Sequence, residues 1–324
     1  MTDKLNNNNL KEKEKEKEKF NKKAADKWQQ TRDRGSPWLI ELIIWIILNL
    51  GRTVGRIFLY PIVVYFLLSS PTRRYSRRYL QRNFNRAGKN KPGIVDLFKH
   101  YYSFANMLLD RVYFLTGKSS RFEINLHHSE LITDLIKQGK GAVLLGSHLG
   151  NFDALRALAK NVPNVKIRAL MYNNEQQNIN RAFEKLNPGL KKDVIYIGTP
   201  DAMIKVQEDV QKGYLIGMLA DRFEHHDRSV SCQFLGDDVK LPGGPLIVAY
   251  LLQAPVVLCF ALHRGGNQYD VYFHLLREQI KLPCKEREQT LQQLMQEYAN
   301  ILEQHAIDYP YNWYNFYDFW QDYA

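Results

Sequence analysis

Polar and apolar residues fall into four successive patterns along the chain. Residues 1–36 are polar, with Lys and Glu alternating from Lys11 to Lys19. Without apolar periodicity such a stretch builds no core and reads as a solvated low-complexity tail. It also lacks the short apolar region and small-residue cleavage site of a secretory signal. Residues 37–70 reverse the pattern. Trp38–Leu50 carries Glu41 as its one charge, 57–68 carries none, and the intervening GRTVGR sets Arg52 and Arg56 four apart on one helix face. Neither run reaches the ~20 residues that cross a bilayer alone. One joined span would bury two arginines near its middle, which is costly unless they pair or snorkel. The pattern predicts a membrane anchor, either an interfacial hairpin or a single span; the competing reading is a buried helix pair of a soluble domain.

Residues 71–92 follow with eight basic residues and no acid: Arg73, Arg74, Arg77, Arg78, Arg82, Arg86, Lys89 and Lys91. Basic residues beside an apolar anchor are attracted to an anionic leaflet by ~1 kcal/mol each, and the same cluster suits an acidic carrier protein. Tyrosines and Phe84 interleave the arginines as in some nucleic-acid surfaces, but the adjoining anchor argues for membrane or carrier and against nucleic acid. The basic flank predicts that the bulk of the chain faces the cytoplasm.

The remainder, 93–324, reads as a catalytic domain. Residues 94–117 form an amphipathic helix ended by Gly117, and from about 122 the pattern becomes α/β. Apolar runs at 141–146, 165–171, 193–198, 214–220 and 255–262 read as buried strands. Helical stretches near 129–138, 151–161, 174–186 and 200–212 alternate with the first four. Residues 269–276 suggest a later edge strand, 285–307 a closing helix, and His127-His128 a loop. The expected fold is therefore α/β, a mainly parallel sheet flanked by helices.

Composition sharpens this only slightly. The 324 residues hold 45 Lys+Arg against 34 Asp+Glu, a net charge of +11, which points to an anionic partner. A mean hydropathy of −0.42 excludes a multi-spanning transporter. Three widely spaced cysteines, Cys232, Cys259 and Cys284, exclude a disulfide scaffold and fit a reducing compartment.

Candidate chemistry concentrates in Gly146-Ser147-His148-Leu149-Gly150-Asn151-Phe152-Asp153, between a strand and a helix. Open α/β sheets place ligand chemistry at the carboxyl ends of strands. Asp153, five residues on, is positioned to accept a hydrogen bond from one nitrogen of His148, leaving the other as a base; the bland alternative makes Asp153 a helix cap and His148 structural. Arg222, beside Asp221, is a candidate for an acceptor phosphate or carboxylate, with Arg181 a weaker one. Oxyanion donors are sought at Gly146, Gly150 or Gly243-Gly244. Glu224-His225-His226-Asp227 lacks an H-x-x-x-H or C-x-x-C partner, so no metal is expected. The aromatic run from Tyr309 to Trp320 reads as core packing, an acyl tunnel lining or a membrane-surface element.

The H-x-x-x-x-D block at a strand–helix junction resembles the first motif of the lysophospholipid acyltransferase superfamily. More closely, the chain is similar to the branch related to the bacterial lipid A biosynthesis lauroyl and myristoyl acyltransferases. Supporting blocks are Gly217-Met218-Leu219-Ala220-Asp221-Arg222, Phe234-Leu235-Gly236, Leu241-Pro242-Gly243-Gly244-Pro245, Ala254-Pro255-Val256-Val257 and Tyr309-Pro310-Tyr311-Asn312-Trp313. The resemblance implies an acyltransferase of the bacterial inner membrane that needs no cofactor. Its donor is an acyl thioester, on acyl carrier protein or coenzyme A, and its acceptor is lipid-like. His148 and Asp153 then act as base and orienter, and Asp221, Arg222, Arg181, Gly243 and Gly244 bind substrate. The rival expectations are a thioester hydrolase using the same dyad on water and a non-catalytic membrane-surface scaffold.

Overall fold

The computed structural model describes residues 37–160, 165–171, 178–199, 201–222 and 228–320. The polar start and the Glu224–Asp227 cluster lie outside these residues. The chain opens with four helices: α1 (Pro37–Leu50), α2 (Arg52–Ser69), α3 (Arg73–Arg86) and α4 (Ile94–Leu115). Thereafter come β1 (Glu123–His127), α5 (Glu130–Lys137), β2 (Ala142–Gly146), α6 (Phe152–Lys160), β3 (Ile167–Met171), α7 (Asn178–Leu186), β4 (Val194–Tyr196), α8 (Ala202–Gln211) and β5 (Leu215–Leu219). The hairpin β6 (Ser229–Phe234) and β7 (Asp237–Pro242), α9 (Gly244–Leu252), β8 (Val256–Gly265), β9 (Gln268–Arg277) and α10 (Arg287–Asp308) complete the chain.

Seven strands form one sheet in the order β1-β9-β8-β2-β5-β3-β4. Only the β8–β9 pair is antiparallel, because a tight turn at Gly265 and Gly266 joins them. The mainly parallel α/β sheet expected from the sequence is therefore the sheet observed. Two details differ. Residues 123–127 form the edge strand β1, so His127 ends a strand instead of lying in a loop, and the run at 269–276 lies one place inside that edge.

Every residue of β2 is buried, and alternation divides them between two cores. Val143 and Leu145 join Ile216, Met218, Leu294, Tyr298 and Trp313 on one face. Ala142 and Leu144 join Leu109, Val112, Tyr113 and Ala154 on the other.

The first helix and the first half of the second lie on that second face, through Ile44, Ile47 and Leu59, whereas Val63 and Leu67 of α2 join the first core. Gly55, Leu59, Val63 and Leu67 make a buried stripe along α2, one residue every four. Gly55 permits the close approach: an added Cβ would stand 2.9 Å from Ile47 Cγ1 and 3.1 Å from Leu109 Cδ1. The opposite faces are apolar yet exposed, with Trp38 at 66%, Trp45 at 56%, Ile57 at 62% and Leu68 at 70%. By length and composition, α2 is long and apolar enough to cross a membrane.

The basic segment is a helix, and the structure uses much of its charge internally. Arg78 pairs with Asp318 (3.1 Å), Arg86 with Glu303 (2.7 Å) and Arg82 with Asp237. Arg74 donates to the neighbouring Tyr75 hydroxyl, while Arg73 and Arg77 are exposed. On the inner face of α3, Asn83 Nδ2 donates to the Ala306 carbonyl (2.7 Å) and the Tyr79 hydroxyl to the Pro310 carbonyl (2.9 Å). This helix thus fastens the C-terminal segment to the body.

Candidate active site

β2 and β5 are parallel neighbours whose register sets Gly146 opposite Leu219. Two residues beyond each strand end stand His148 and Asp221, and the register brings them together. His148 Nδ1 and Asp221 Oδ1 are 2.9 Å apart. The other carboxylate oxygen, Oδ2, accepts the His148 backbone N–H (2.9 Å) and the indole N–H of Trp313 (3.0 Å). Asp221 is fully buried, whereas the His148 side chain is 31% exposed. No described residue bonds His148 Nε2. The carboxylate fixes the imidazole by one nitrogen and leaves the other for a substrate.

Charge reinforces this arrangement. Burial pushes the Asp221 carboxyl up, but His148, Arg222 and the Trp313 N–H outweigh it and hold it at about 2. Burial, together with the Arg222 guanidinium, lowers His148 below its ordinary value against the opposing pull of Asp221. A neutral imidazole beside an ionised carboxylate can accept a proton at physiological pH.

The partner expected from the sequence lies elsewhere. Asp153 sits in the first turn of α6 and is paired with Arg111 of α4 at 2.5 Å and with Arg156 at 4.0 Å. The cap of α6 is Asn151, whose Oδ1 accepts the Asp153 N–H (3.1 Å). Asp153 ties α6 to α4, and His148 is held by Asp221. Among the other expected residues, Arg222 is at the site, donating to the Tyr314 carbonyl (3.1 Å) with its guanidinium over the Tyr317 ring. Arg181 is exposed on α7, which packs against α1 and α4. Gly243 caps α9, and an added Cβ there would meet Val230, Leu291 and the Arg228 carbonyl. Gly244 begins the same helix, and the close neighbours of Gly243 do not include the His148 pair. The Gly150 N–H, sought as an oxyanion donor, is already given to the Asn312 carbonyl at 2.9 Å.

Trp313 escaped the sequence reading as a site residue. It is 1% exposed and meets Tyr79 and Phe234 edge-on at 4.9 and 5.0 Å. The Tyr314 N–H donates to the His148 carbonyl (3.1 Å), so the aromatic C-terminal run forms one wall of the site. His100 braces that wall: its Nε2 donates to the Trp313 carbonyl (2.8 Å) and its Nδ1 meets Ser76 Oγ (2.7 Å).

This bracing has a pH consequence. Burial holds both His100 and His305 at about 4. Both stay neutral in the folded state while their unfolded counterparts protonate near 6.5. Stability is therefore complete above pH 6.5 and declines as pH falls toward 4, by about 2–3 kcal/mol for His100 alone at pH 4.5. Urea unfolding at pH 7 and pH 4.5 should show the midpoint falling with unchanged slope, and His100→Gln should shrink that pH difference. A further loss below 3.8 follows from Asp221.

An open, mainly parallel α/β sheet with a carboxylate-held histidine at the ends of adjacent central strands defines a site suited to proton abstraction. The family model for bacterial lipid A biosynthesis acyltransferases matches residues 22–321, and the chain belongs to that family. The family is one of lipid acyltransferases, which makes the chain a lipid acyltransferase by family. The search of curated proteins gave no match.

Proposed function

We propose that this protein is a membrane-associated acyltransferase that moves a fatty acyl chain from an acyl thioester, preferentially on acyl carrier protein, to a hydroxyl or amine of a lipid-like acceptor. The observation that carries the reading is the His148–Asp221 pair at 2.9 Å, open at Nε2, within a chain of this family. His148 Nε2 takes the proton from the acceptor as its oxygen or nitrogen attacks the thioester carbonyl. Asp221 keeps the proton of the neutral ring on Nδ1 and stabilises the imidazolium that forms. Trp313 in turn positions Asp221. The acceptor supplies the nucleophile, and the proton held on His148 goes to the departing thiolate. Among the described residues, Arg222 is a cation whose charge acts on His148, and it favours an anionic group on donor or acceptor.

Attachment at the membrane surface follows from α1 and α2. Their inner stripe is packed on α4 while their outer faces remain apolar, which favours an interfacial hairpin over a free span. The exposed Arg73 and Arg77 of α3 supply positive charge toward anionic lipid or a carrier protein, the remaining arginines being largely tied to the body. A catalytic body facing the cytoplasm of a bacterial inner membrane is the corresponding location.

The test is to incubate the full chain with acyl carrier protein bearing a labelled fatty acyl group and a total lipid extract. Label in a lipid product is expected, and mass spectrometry of that product identifies the acceptor. Label released as free fatty acid would establish a hydrolase instead. Intact thioester with both carrier-protein and coenzyme A donors would leave the pair architectural.

A further inference from the structure

A concave site lies apart from the His148 pair and shares no lining residue with it. It is a cleft of about 630 Å3 walled by Arg52, Arg56 and Tyr60 of α2, Tyr102 of α4, Arg121, and the Gly266-Asn267 turn between β8 and β9. Because β8 runs parallel to β2, this turn lies at the same, carboxyl end of the strands as His148. No carboxylate lines the cleft.

Its three guanidiniums are not equivalent. Arg52 is committed: Nε and a terminal nitrogen grip the buried Asp110 carboxylate at 2.7 and 2.9 Å, and the Tyr269 hydroxyl donates to the same carboxylate at 2.8 Å. Arg56 and Arg121 have no carboxylate partner among the described residues. The Arg121 guanidinium rests on the Tyr113 ring at 5.4 Å, and its carbonyl accepts the Asn267 side-chain N–H at 3.1 Å, which fixes the turn. The Tyr102 hydroxyl donates to the Arg56 carbonyl at 3.3 Å and anchors that wall. Two uncompensated guanidiniums facing one hollow attract an anion, and the planar donor fork matches phosphate oxygens in pairs.

The rim selects the kind of anion. Ile57 is 62% exposed, Phe58 45% and Tyr60 51%, and the apolar face continues along α2 through Val64, Tyr65 and Leu68. A soluble phosphate gains nothing from such a border, whereas an amphiphile sets its head in the hollow and its chains along the helix. We propose that this cleft binds the phosphate headgroup of a membrane lipid, with the acyl chains lying on the exposed face of α2. The inference goes beyond the acyl-transfer reading, and no bond is made or broken at this cleft.

Binding, not turnover, tests it. The full chain is titrated with vesicles of phosphatidylcholine containing phosphatidic acid, and with vesicles brought to the same surface charge by oleate. Wild type should bind the phosphatidic acid vesicles about tenfold more tightly or better, because two guanidinium forks pair with phosphate oxygens that a single carboxylate does not match. Arg56→Gln/Arg121→Gln should bind both vesicles equally, while Arg73→Gln/Arg77→Gln should weaken both and keep the preference. If the first pair of substitutions disturbs folding, Arg56→Lys/Arg121→Lys retains the charge and should still lose the preference, because the fork is gone. Equal binding of wild type to the two vesicles, or a preference surviving in the lysine variant, overturns the proposal. So does glycerol 3-phosphate displacing the protein from phosphatidic acid vesicles as effectively as phosphatidic acid micelles do, since the occupant is then a soluble phosphate.

Discussion

Replacing His148 with alanine should lower turnover by about 10²–10⁴-fold, the range a positioned general base contributes, with the protein still bound to membranes. Asp221→Asn should cost nearly as much, although no group facing the substrate is removed. The amide carries no charge to keep His148 ready to become an imidazolium, and it can turn its NH2 toward Nδ1 and impose the wrong tautomer. In contrast, Asp153→Asn should keep turnover within about tenfold and instead lower stability by about 1–3 kcal/mol, since Arg111 loses its carboxylate. Single-turnover rates with acyl carrier protein donor, set beside urea midpoints for the three variants, separate catalytic from structural losses. Should Asp153→Asn prove as inactive as His148→Ala while Asp221→Asn stays active, the orienting role belongs to Asp153, and the pairing seen in the structure is not the catalytic one.

This contrast marks where the sequence was and was not legible. His148 could be found because its signal is local: a short apolar strand, a glycine, a histidine, then a helix. Buried parallel strands read as apolar runs for the same reason, and five of them emerged near their observed limits. The partner of His148 could not be found by counting along the chain, because it is set by strand order. β2 lies between β5 and β8, with β3 two places away, and only that order brings residue 221 beside residue 148. Asp221 is visible in the sequence only as a charged residue after a strand, where the family resemblance implies substrate binding. Asp153 was favoured by its closeness in sequence, although Asn151 already supplies the cap and Arg111 the counter-ion.

Similar reasoning applies to the edge strand and the basic helix. β1 has no fully buried position, exposes Leu126 and ends in polar residues on both sides, so its pattern lacks the unbroken apolar run of a central strand. It forms because β9 offers it a parallel register from Glu123↔Gln268 to His127↔Tyr272. The arginines of α3 looked like a free surface because their partners Asp237, Glu303 and Asp318 lie more than 150 residues downstream. A charge cluster in sequence becomes an interaction surface only after the folded chain has taken what it needs. Among the described residues, Arg73, Arg77, Arg56 and Arg121 keep no carboxylate partner and remain available.

Gly150→Ala should damage stability and activity together, and it tests whether the site depends on a backbone contact. Gly150 has φ +87, and an added Cβ would stand 2.1 Å from the Ala261 carbonyl oxygen. That oxygen already accepts the Asn151 N–H at 2.8 Å, while the Gly150 N–H goes to the Asn312 carbonyl at 2.9 Å. Residue 150 is thus clamped between β8 and the C-terminal wall, two positions from His148, and cannot give way without moving one of them. The left-handed backbone alone costs a non-glycine residue about 1–3 kcal/mol, and relieving the clash adds a comparable amount. A shift of His148 by about 1 Å can reduce turnover some 10²-fold. Activity per folded molecule, from active-site counting against the urea curve, should therefore fall by that order, alongside a midpoint lowered by more than for Asp153→Asn. Full activity per folded molecule would show that β8 and the C-terminal wall yield without disturbing the pair. In that case Asp221 and Trp313 alone would hold the imidazole, and Trp313→Phe, which removes the indole N–H from Asp221, becomes the substitution that should misplace it.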